Sequence, residues 1–411
     1  MRLIATAWPL VGFGRFCFRG LETYNVRGVF LAAQRAWFEM PLPNQKRVEI
    51  AVVLRAFEGG GAQRDIILLC NAIAAKGIAV AILTLQSEGP LRALLDPAVR
   101  VVKIAGGKIR YAIPGLRSAI RSLSPRVILS SESNLNLCNL AAVRSLPRSQ
   151  RPKVVLREVG SPSIAQARDP HLQNRIAYRI LRHVYRHADR VITLTDGARL
   201  DLIKNFSVPE QKIAVMLTNA VIPPAAIERI ENWDAESGRE TDLIVSVGRL
   251  SPEKDHRTLL QAARLLPAGR PWRLALIGDG PERRALEAFA QTSGLSDRVT
   301  FTGHVLDPFA WMMRARIAVC SSVYEGLCNA IIEALACGTA VVSTNCPYGP
   351  REILRDGRYG SLVPVGDAPA LAKAIEAALA APTERKPLMA RGLDYTSDRA
   401  ADRLLEILEQ V

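Results

Sequence analysis

The 411-residue sequence predicts an α/β protein with two domains, each built around a parallel β-sheet. Apolar segments of strand length alternate with amphipathic segments of helical length, and this alternation favours parallel sheets covered by helices. The chain is 49% hydrophobic, which at this length is enough to bury two cores of ordinary size. We expect a first domain over residues 47–222, a linker over residues 223–242, mostly in the polar run Glu228–Thr241, and a second domain over residues 243–390.

Residues 1–46 do not fit this alternation and are interpreted as an N-terminal extension of uncertain order. They are rich in aromatic and arginine side chains, and Pro9, Arg15 and Arg19 interrupt their apolar run. They therefore match neither a signal peptide nor a membrane-spanning helix. Three interpretations remain open: an interfacial membrane anchor, a poorly ordered arm, or a start codon assigned too far upstream. We favour the last two jointly.

The first domain is predicted to begin with a strand and a glycine-rich turn. The apolar segment Arg47–Arg55 precedes Gly59–Gly61, and an amphipathic helix is expected over Asp65–Ala75. Such a turn brings backbone N–H groups close to a phosphate, although a flexible turn without a ligand fits the same residues. The last strands of this domain are expected at Val191–Thr193 and Ile213–Val215.

Positive charge is concentrated in the first half of the chain. Residues 1–222 hold 32 Lys and Arg against 14 Asp and Glu, a net charge of +18, whereas residues 223–411 have a net charge of −3. A surface of this kind suits an anionic membrane leaflet or an isoprenoid-diphosphate acceptor. The alternative is a solvated basic face that only aids solubility. Nucleic acid is disfavoured because no binding motif or interleaved aromatic residues accompany the charge.

The clearest basic segment is a predicted helix over His171–Arg190. Its apolar residues Ile176, Ile180 and Val184 are available for packing or burial. Helical spacing places four cations in one stripe, namely Arg175, Arg179, Arg182 and Arg186.

The second domain is predicted to open with the strand Leu243–Leu250. Ser251 is expected to cap the next helix, with Pro252 at its first position. Arg249 and Lys254 would then project as a pair of cations, which is the arrangement that a diphosphate leaving group needs. An ordinary charged surface is the alternative interpretation.

Further along, the strand Trp272–Ile277 leads into the tight turn Gly278–Pro281, and a helix separates this turn from Val299–Val305. The backbone near Gly303–Val305 is a candidate for hydrogen bonds to a nucleotide base. His304 is either part of that contact or an ordinary loop histidine.

The segment Ser321–Asp367 says most about function. Glu325 and Glu333 lie eight residues apart, and a helix is expected to start near Leu327, where free N–H groups form an anion site. Gly326 lets a ligand approach the backbone. One carboxylate would then hold sugar hydroxyls and the other a ribose, whereas a charged helix start followed by a solvated Glu is the alternative. The apolar helix face and the strand Ala340–Ser343 favour a nucleotide site at the mouth of a parallel sheet.

The seven cysteines show no CxxC and no Cys/His spacing typical of metal ligands. We interpret them as small buried side chains of a protein in a reducing cytosol. The five histidines do not indicate a metal site either.

Taken together, GRLSPEKD, IGDGPE, FTGHV and EGLCNAIIEALACGTAVVST, in this order, resemble the retaining glycosyltransferases of family 4. The resemblance covers roughly Arg47 to Ala390. It implies the GT-B fold, in which two Rossmann-like domains with parallel sheets face an interdomain cleft. It also implies a nucleotide-diphosphate sugar as donor, no metal, and retention of the donor's anomeric configuration. Asn345–Leu354 is similar to a subset that builds bacterial surface polysaccharides and lipid-linked glycans.

By the matching positions, Arg249 and Lys254 are implied to clamp the diphosphate and Glu325 to contact the sugar hydroxyls, so these three are the candidate catalytic residues. Glu333 is implied to contact the ribose. The other candidates on the nucleotide-sugar side are Gly60, Gly61, Gly248, Gly278, Val305, Gly326, Leu327 and Cys328. The resemblance also implies that residues 391–411, through a helix over Asp394–Leu408, cross back to the first domain.

On the acceptor side the resemblance implies Gln63 and Arg64. Many family members carry a histidine in the middle of this domain, but Val127–Leu140 contains none. Ser131, Glu132, Ser133 or Asn134 are open as its replacement, and Glu132 and Asn134 are our candidates.

The expected function is transfer of a hexosyl group from a nucleotide-diphosphate sugar to a saccharide or lipid-linked acceptor in cell-surface glycan synthesis. UDP is chosen on family frequency alone, and neither a metal nor another cofactor is expected. The expected location is the cytoplasm, peripheral on the inner face of the cytoplasmic membrane. The alternatives are a sugar-nucleotide epimerase or phosphorylase of the same fold, and a non-catalytic scaffold that binds a sugar nucleotide.

Overall fold

The computed structural model describes residues 47–411, with the exception of residues 59, 161, 169–171, 235–237 and 306. The predicted N-terminal extension over residues 1–46 therefore lies outside the described residues, as does His171 at the start of the predicted basic helix. Residues 47–411 form one unit of the chain.

In the described part of the first domain, seven parallel strands form one sheet in the order β3-β2-β1-β4-β5-β6-β7. Strand β1 is apolar throughout and every one of its residues is buried, as expected where helices cover both faces of a sheet. Val52 of β1 lies opposite Ile82 on one side and Leu129 on the other. The strands are β1 (Ile50–Leu54), β2 (Val80–Thr84), β3 (Arg100–Lys103), β4 (Val127–Ser130), β5 (Lys153–Glu158), β6 (Arg190–Thr193) and β7 (Ile213–Val215).

Helices connect these strands. They are α1 (Gly61–Ala75), α2 (Ala112–Leu123), α3 (Ser133–Arg144), α4 (Pro162–Arg168), α5 (Leu172–Val184), α6 (Asp196–Phe206) and α7 (Pro224–Glu231). Short 3₁₀ turns occur at Pro90–Leu94, Ile109–Tyr111, Arg148–Gln150, Tyr185–His187 and Glu210–Lys212.

Six parallel strands of the described chain form the second sheet, in the order β10-β9-β8-β11-β12-β13. They are β8 (Leu243–Val247), β9 (Arg273–Ile277), β10 (Val299–Gly303), β11 (Ile317–Cys320), β12 (Ala340–Thr344) and β13 (Ser361–Val363). The helices are α8 (His256–Ala263), α9 (Arg283–Thr292), α10 (Phe309–Arg314), α11 (Asn329–Ala336), α12 (Gly349–Ile353), α13 (Ala368–Ala380), α14 (Arg385–Gly392) and α15 (Ser397–Glu409), with 3₁₀ turns at Pro252–Lys254 and Leu393–Tyr395. The predicted α/β class with two parallel sheets is confirmed.

The strand order locates the functional region. In each sheet the order reverses between two neighbouring strands, β1 and β4 in the first sheet and β8 and β11 in the second. Ligands of open α/β sheets bind beyond the carboxyl ends of the strands at such a reversal. The loops that leave these four strands carry the glycine-rich turn, Glu132, the Arg249–Lys254 segment and Glu325.

Several element boundaries differ from the sequence-based expectation. The helix expected over Asp65–Ala75 begins at Gly61, with Gly60 as its N-cap. The helix expected near Leu327 begins at Asn329, with Cys328 as its N-cap. Ser251 does not cap an α-helix, because a 3₁₀ turn intervenes and the Asp255 carboxylate accepts the capping hydrogen bond from the Thr258 N–H.

Two observations concern the links between domains, and the first of them differs from expectation. The polar run expected as a linker from Glu228 begins inside α7, whose Ala226 and Ile230 are buried in the core of the second domain. The terminal helix α15 places Ala401 and Leu404 in the apolar core of the first sheet. No described helix is both long and apolar enough to cross a lipid bilayer.

Candidate functional site

The two domains face each other so closely that backbone meets backbone. A Cβ atom added to Gly326 of the second domain would lie 1.8 Å from the carbonyl oxygen of Val159, which follows β5 of the first domain. A Cβ atom added to Gly61 at the start of α1 would lie 3.2 Å from the side-chain Nδ2 of Asn329, the first residue of α11. Both positions were candidates from sequence, and the backbone contact explains why residue 326 is a glycine.

Next to the contact of Gly326 with the first domain, Lys254 and Glu325 form an ion pair with 2.5 Å between Nζ and Oε1. The Ser322 hydroxyl donates to the same carboxylate oxygen at 2.7 Å. The Glu325 N–H donates to the Pro347 carbonyl at 2.8 Å, and the Ser321 hydroxyl donates to the Lys254 carbonyl at 2.8 Å. Backbone and side chain of both residues are therefore held in place.

The environment keeps this lysine charged. Burial disfavours the ammonium, but the attraction of Glu325 outweighs it, and the pKa of Lys254 is raised above its ordinary value. The side chains of Lys254 and Glu325 are 24% and 9% exposed, so the pair is shielded without being closed off from the cleft. A fixed, partly accessible cation of this kind is suited to binding a phosphate.

Further candidates of the second domain lie in the loops that follow β8, β9 and β10. Gly248 is in contact with the Lys254 side chain, since a Cβ added there would lie 3.7 Å from Cδ. Gly278 has a φ of 144°, and a Cβ on it would lie 1.9 Å from the Gly248 carbonyl oxygen. Arg249 is exposed, and its guanidinium makes no hydrogen bond or ion pair with a described residue. Val305 packs partly buried against the core of the second domain.

Glu333 has a partner that the sequence did not reveal. Its carboxylate forms an ion pair with the Arg64 guanidinium, which reaches across from α1 of the first domain. The guanidinium also lies 5.4 Å from the centre of the Phe309 ring. Burial raises the pKa of Glu333, and Arg64 opposes that rise. Arg64 was predicted on the acceptor side and Glu333 at the ribose, but here the two side chains contact each other.

A buried polar network joins the domains beside this ion pair. The Asp65 carboxylate accepts hydrogen bonds from the side-chain amides of Asn219 and Asn329, the latter at 2.8 Å. The Arg157 guanidinium is fully buried and donates to the Asn219 carbonyl oxygen and, at 3.1 Å, to the Ser131 hydroxyl. Sequence reasoning missed Asp65, Arg157, Asn219 and Asn329 as functional positions. One feature of the sequence could have indicated this network: two charged residues, Arg157 and Glu158, follow an apolar segment at the end of β5.

Glu158 is a second buried carboxylate that the sequence did not single out. Its side chain accepts hydrogen bonds from the Tyr178 hydroxyl at 3.0 Å and the Tyr185 hydroxyl at 2.5 Å, and the Gly160 N–H donates to it at 3.2 Å. Burial raises its pKa and these three donors oppose the rise. This cluster fixes the end of β5 just before Val159, which touches Gly326.

The acceptor-side candidates are only partly brought together. The Gln63 amide donates to the Glu132 carboxylate at 2.8 Å, and burial raises the pKa of Glu132. The Asn134 amide instead donates at 2.6 Å to Asn174 on α5, so it is turned to a neighbouring helix. Among the residues open as replacements for the family histidine, Ser131 is engaged by Arg157 and Glu132 by Gln63.

Leu327 and Cys328, at the start of α11, are buried, and their contribution to a ligand would come from the backbone. His304 is exposed. Among the described residues, one group of His, Cys, Asp and Glu side chains is close enough to hold a metal ion, namely Cys320, Glu325 and Cys328.

Asp65 is expected to make stability depend on pH. Burial raises its pKa from 3.8 to about 6, against the attraction of Arg157. The folded protein then binds a proton more tightly than the unfolded chain, so this residue adds stability as the pH falls through 6. Between pH 7.5 and pH 5, the free energy of unfolding of the wild type should therefore rise by about 1–1.5 kcal/mol more than that of Asp65→Asn.

Urea unfolding of the wild type and Asp65→Asn at both pH values would measure this gain. The other buried carboxylates are common to both proteins, so the difference isolates Asp65. Parallel pH profiles would contradict the prediction.

Comparison with known proteins agrees with this architecture. The first domain matches the family model described as glycosyl transferase 4-like domain over residues 60–217, and the second matches glycosyl transferases group 1 over residues 241–381.

Relatives and solved structures extend these matches. The chain is 29% identical over 235 residues to N-acetylgalactosamine-N,N'-diacetylbacillosaminyl-diphospho-undecaprenol 4-alpha-N-acetylgalactosaminyltransferase of Campylobacter jejuni, covering 56% of this chain and 61% of that protein. It is 27% identical over 363 residues to the lipopolysaccharide core biosynthesis glycosyltransferase LpsE of Rhizobium meliloti, covering 85% of this chain and 96% of the relative. The crystal structure of Anabaena HepE in complex with UDP and glucose superposes with a TM-score of 0.70 at 18% identity, covering 89% of this chain and 100% of HepE.

The similarity to solved structures shows the fold, and the two family models show the class of enzyme. Each model matches one parallel-sheet domain, and together they span both sides of the cleft that holds Lys254 and Glu325. The chain therefore belongs to the glycosyltransferases of the family 4 type and has the GT-B fold that its motifs predicted.

Proposed function

We propose that this glycosyltransferase moves a hexosyl group, with retention of configuration, from a UDP-sugar to an isoprenoid-diphosphate-linked or saccharide acceptor in surface-glycan synthesis. The observation that carries the proposal is the Lys254–Glu325 ion pair in the cleft. Two names support the ligands: the HepE structure contains UDP and glucose, and the Campylobacter relative is named for a diphospho-undecaprenol substrate. The nucleotide sugar is a co-substrate, and the proposed reaction needs no metal.

In the proposed reaction, the bond between the sugar and the β-phosphate breaks, and the acceptor hydroxyl forms the new bond on the same face. The proton of that hydroxyl leaves with the diphosphate. Negative charge on the diphosphate grows as its bond breaks, so a cation already fixed in place stabilises the transition state more than the ground state. Lys254 supplies that cation and Arg249 a second, mobile one. Glu325 fixes Lys254 and is near enough to orient the sugar hydroxyls.

A thermal-shift titration tests donor binding. UDP, GDP, ADP and their common sugar conjugates are added to the wild type, Arg249→Ala, Lys254→Ala and the control Arg264→Ala, which removes an exposed arginine just beyond α8. We expect UDP compounds to raise the unfolding temperature of the wild type and the control. A ligand at a concentration of 100 times its Kd stabilises the folded protein by about 2.7 kcal/mol. The rise should disappear in the other two variants.

A rise with GDP or ADP alone would correct the base, and no rise with any nucleotide would contradict donor binding in this cleft. Binding without transfer or hydrolysis would indicate the non-catalytic scaffold, which the missing first-domain histidine favours. Product analysis would separate transfer from epimerisation.

Helix α5 carries the proposed contact with the membrane. Its buried face consists of Ala177, Tyr178 and Leu181. Ile176 and Ile180, which the sequence marks as available for packing or burial, are 48% and 43% exposed. They continue an apolar stripe that begins at Leu172, which is 66% exposed, because residues four apart share a helix face.

Three exposed arginines of α5 border this stripe, namely Arg175, Arg179 and Arg182, and the exposed Arg186 follows in the next 3₁₀ turn. An apolar stripe beside a row of cations is typical of a helix that lies in the interface of an anionic membrane. We therefore propose that the enzyme docks through α5 on the cytoplasmic face of the membrane, which would bring the first domain to a lipid-linked acceptor.

Sedimentation with lipid vesicles tests this docking. The wild type should bind vesicles that contain anionic lipid, bind neutral vesicles poorly, and dissociate as salt is raised. Each of three single substitutions should weaken vesicle binding about fivefold, namely Arg175→Gln, Arg179→Gln and Arg182→Gln. Ile176→Glu with Ile180→Glu should abolish it, while the control Leu265→Glu, which changes a residue 56% exposed in the second domain, should not. Equal binding by the control and the α5 variants would contradict the proposal.

A further inference from the structure

Two cysteine thiols and one carboxylate converge beside the lysine of the cleft. The Sγ atoms of Cys320 and Cys328 lie 3.5 Å apart. Together with a carboxylate oxygen of Glu325, these ligand atoms all lie within 4.8 Å of one another. All three residues are buried, with exposures of 9%, 3% and 8% for Cys320, Cys328 and Glu325.

Regular structure holds both thiols. Cys320 is the last residue of β11, and Cys328 is the N-cap of α11, so a sheet and a helix position them. Glu325 lies in the loop between them, where its N–H is bonded to the Pro347 carbonyl. A spacing of eight residues gives no recognised metal motif, which is why the sequence did not indicate this cluster.

The geometry suits a soft divalent ion. Thiolates bound at about 2.3 Å to a tetrahedral Zn²⁺ lie about 3.8 Å apart, so the observed separation needs to change by only a few tenths of an ångström. A carboxylate is the usual third kind of ligand, and three protein ligands leave the fourth position to a water or a phosphate oxygen. Burial protects the thiolates from competing hydration.

We propose that Cys320, Cys328 and Glu325 form a binding site for a thiophilic divalent ion such as Zn²⁺, and that the bound ion inhibits sugar transfer. The ion would release the thiol protons and take Glu325 as a ligand. The two thiolates offset the charge of the ion, so the net charge beside Lys254 is unchanged. The inhibition comes from Glu325, whose carboxylate then serves as a metal ligand and no longer holds Lys254 in position. The inhibition rests on the proposed function of the Lys254–Glu325 pair, whereas the binding of the ion does not.

Cobalt titration of the reduced full chain measures binding directly. Tetrahedral coordination by thiolates produces charge-transfer and d–d absorption bands, and Zn²⁺ should then displace Co²⁺. We expect one ion per chain. Cys320→Ser should weaken binding at least about 100-fold, since even loss of an outer-shell partner costs 10–100-fold. The matched control is Cys337→Ser, which changes another buried cysteine at the end of α11 and should bind as the wild type does.

The activity arm uses the same proteins with a UDP-sugar donor. Zn²⁺ should inhibit the wild type and Cys337→Ser, and a chelator should restore their rates. Cys320→Ala is measured together with Cys320→Ser, and circular dichroism tests that each is folded.

No cobalt bands in the reduced wild type, or equal affinity in Cys320→Ser and Cys337→Ser, would overturn the site. Binding without inhibition would overturn the inhibitory role. Metal binding by a chain that binds no nucleotide would leave the site intact and refute only the proposed function.

Discussion

Lys254→Ala is expected to lower the rate of sugar transfer by about 10²–10³-fold, because it removes the fixed cation from the place where charge develops on the leaving group. Glu325→Ala should cause a comparable loss, since Lys254 then loses the carboxylate that holds it at 2.5 Å. The residues act as one unit, so the double variant should be little worse than either single variant. Initial rates with saturating donor would measure all three.

The control for this pair is again Arg264→Ala, which changes the charge of the same domain outside the cleft. Circular dichroism and thermal unfolding would show that the folds are intact. Glu325→Gln adds a sharper comparison, because it keeps the size of the side chain and an acceptor for Ser322 while it removes the charge. Retained activity in Lys254→Ala or Glu325→Ala would contradict the assignment of these two residues to the catalytic site.

Gly326→Ala is expected to lower kcat/KM by about 10²-fold, the loss that a displacement of about 1 Å produces between reacting groups. Its new methyl group would lie 1.8 Å from the Val159 carbonyl oxygen, and that oxygen belongs to the opposite domain. The second domain can keep its own fold, so the strain is relieved by separation of the domains. Steady-state kinetics with small-angle X-ray scattering would detect both the loss of rate and the wider cleft.

Gly269→Ala is the matched control, because a Cβ added there meets nothing within 4 Å. It should keep the wild-type rate and radius of gyration. Full activity in Gly326→Ala would show that the close approach of the two backbones is not part of the working enzyme.

Local pattern was sufficient to predict the two sheets and the loops of the site. Buried parallel strands are mostly apolar, and glycines mark the turns that follow them, as in β8 with Gly248 and β9 with Gly278. The candidates Lys254 and Glu325 followed from the same motifs, and the structure places them in contact.

Partners across the cleft were beyond sequence reasoning. Arg64 and Glu333 are separated by 269 residues, and their contact depends on how one domain closes on the other. The same holds for Asp65 with Asn329. In the sequence, a polar side chain that is buried between two domains looks like any surface residue. Burial at such an interface has no periodic pattern, so the sequence does not reveal it. The exposed stripe on α5 shows a second limit, because apolar spacing marks a face that can pack but does not show whether protein covers it.

The position of α15 has a consequence for biosynthesis. Its Ala400, Ala401, Leu404 and Ile407 complete the apolar layer under the first sheet, next to α1 near the other end of the described chain. Chains usually fold from the N-terminus as they leave the ribosome, one domain after another. Here the first domain cannot close its core until nearly the whole described chain has emerged, so the second domain is free to fold before the first is complete.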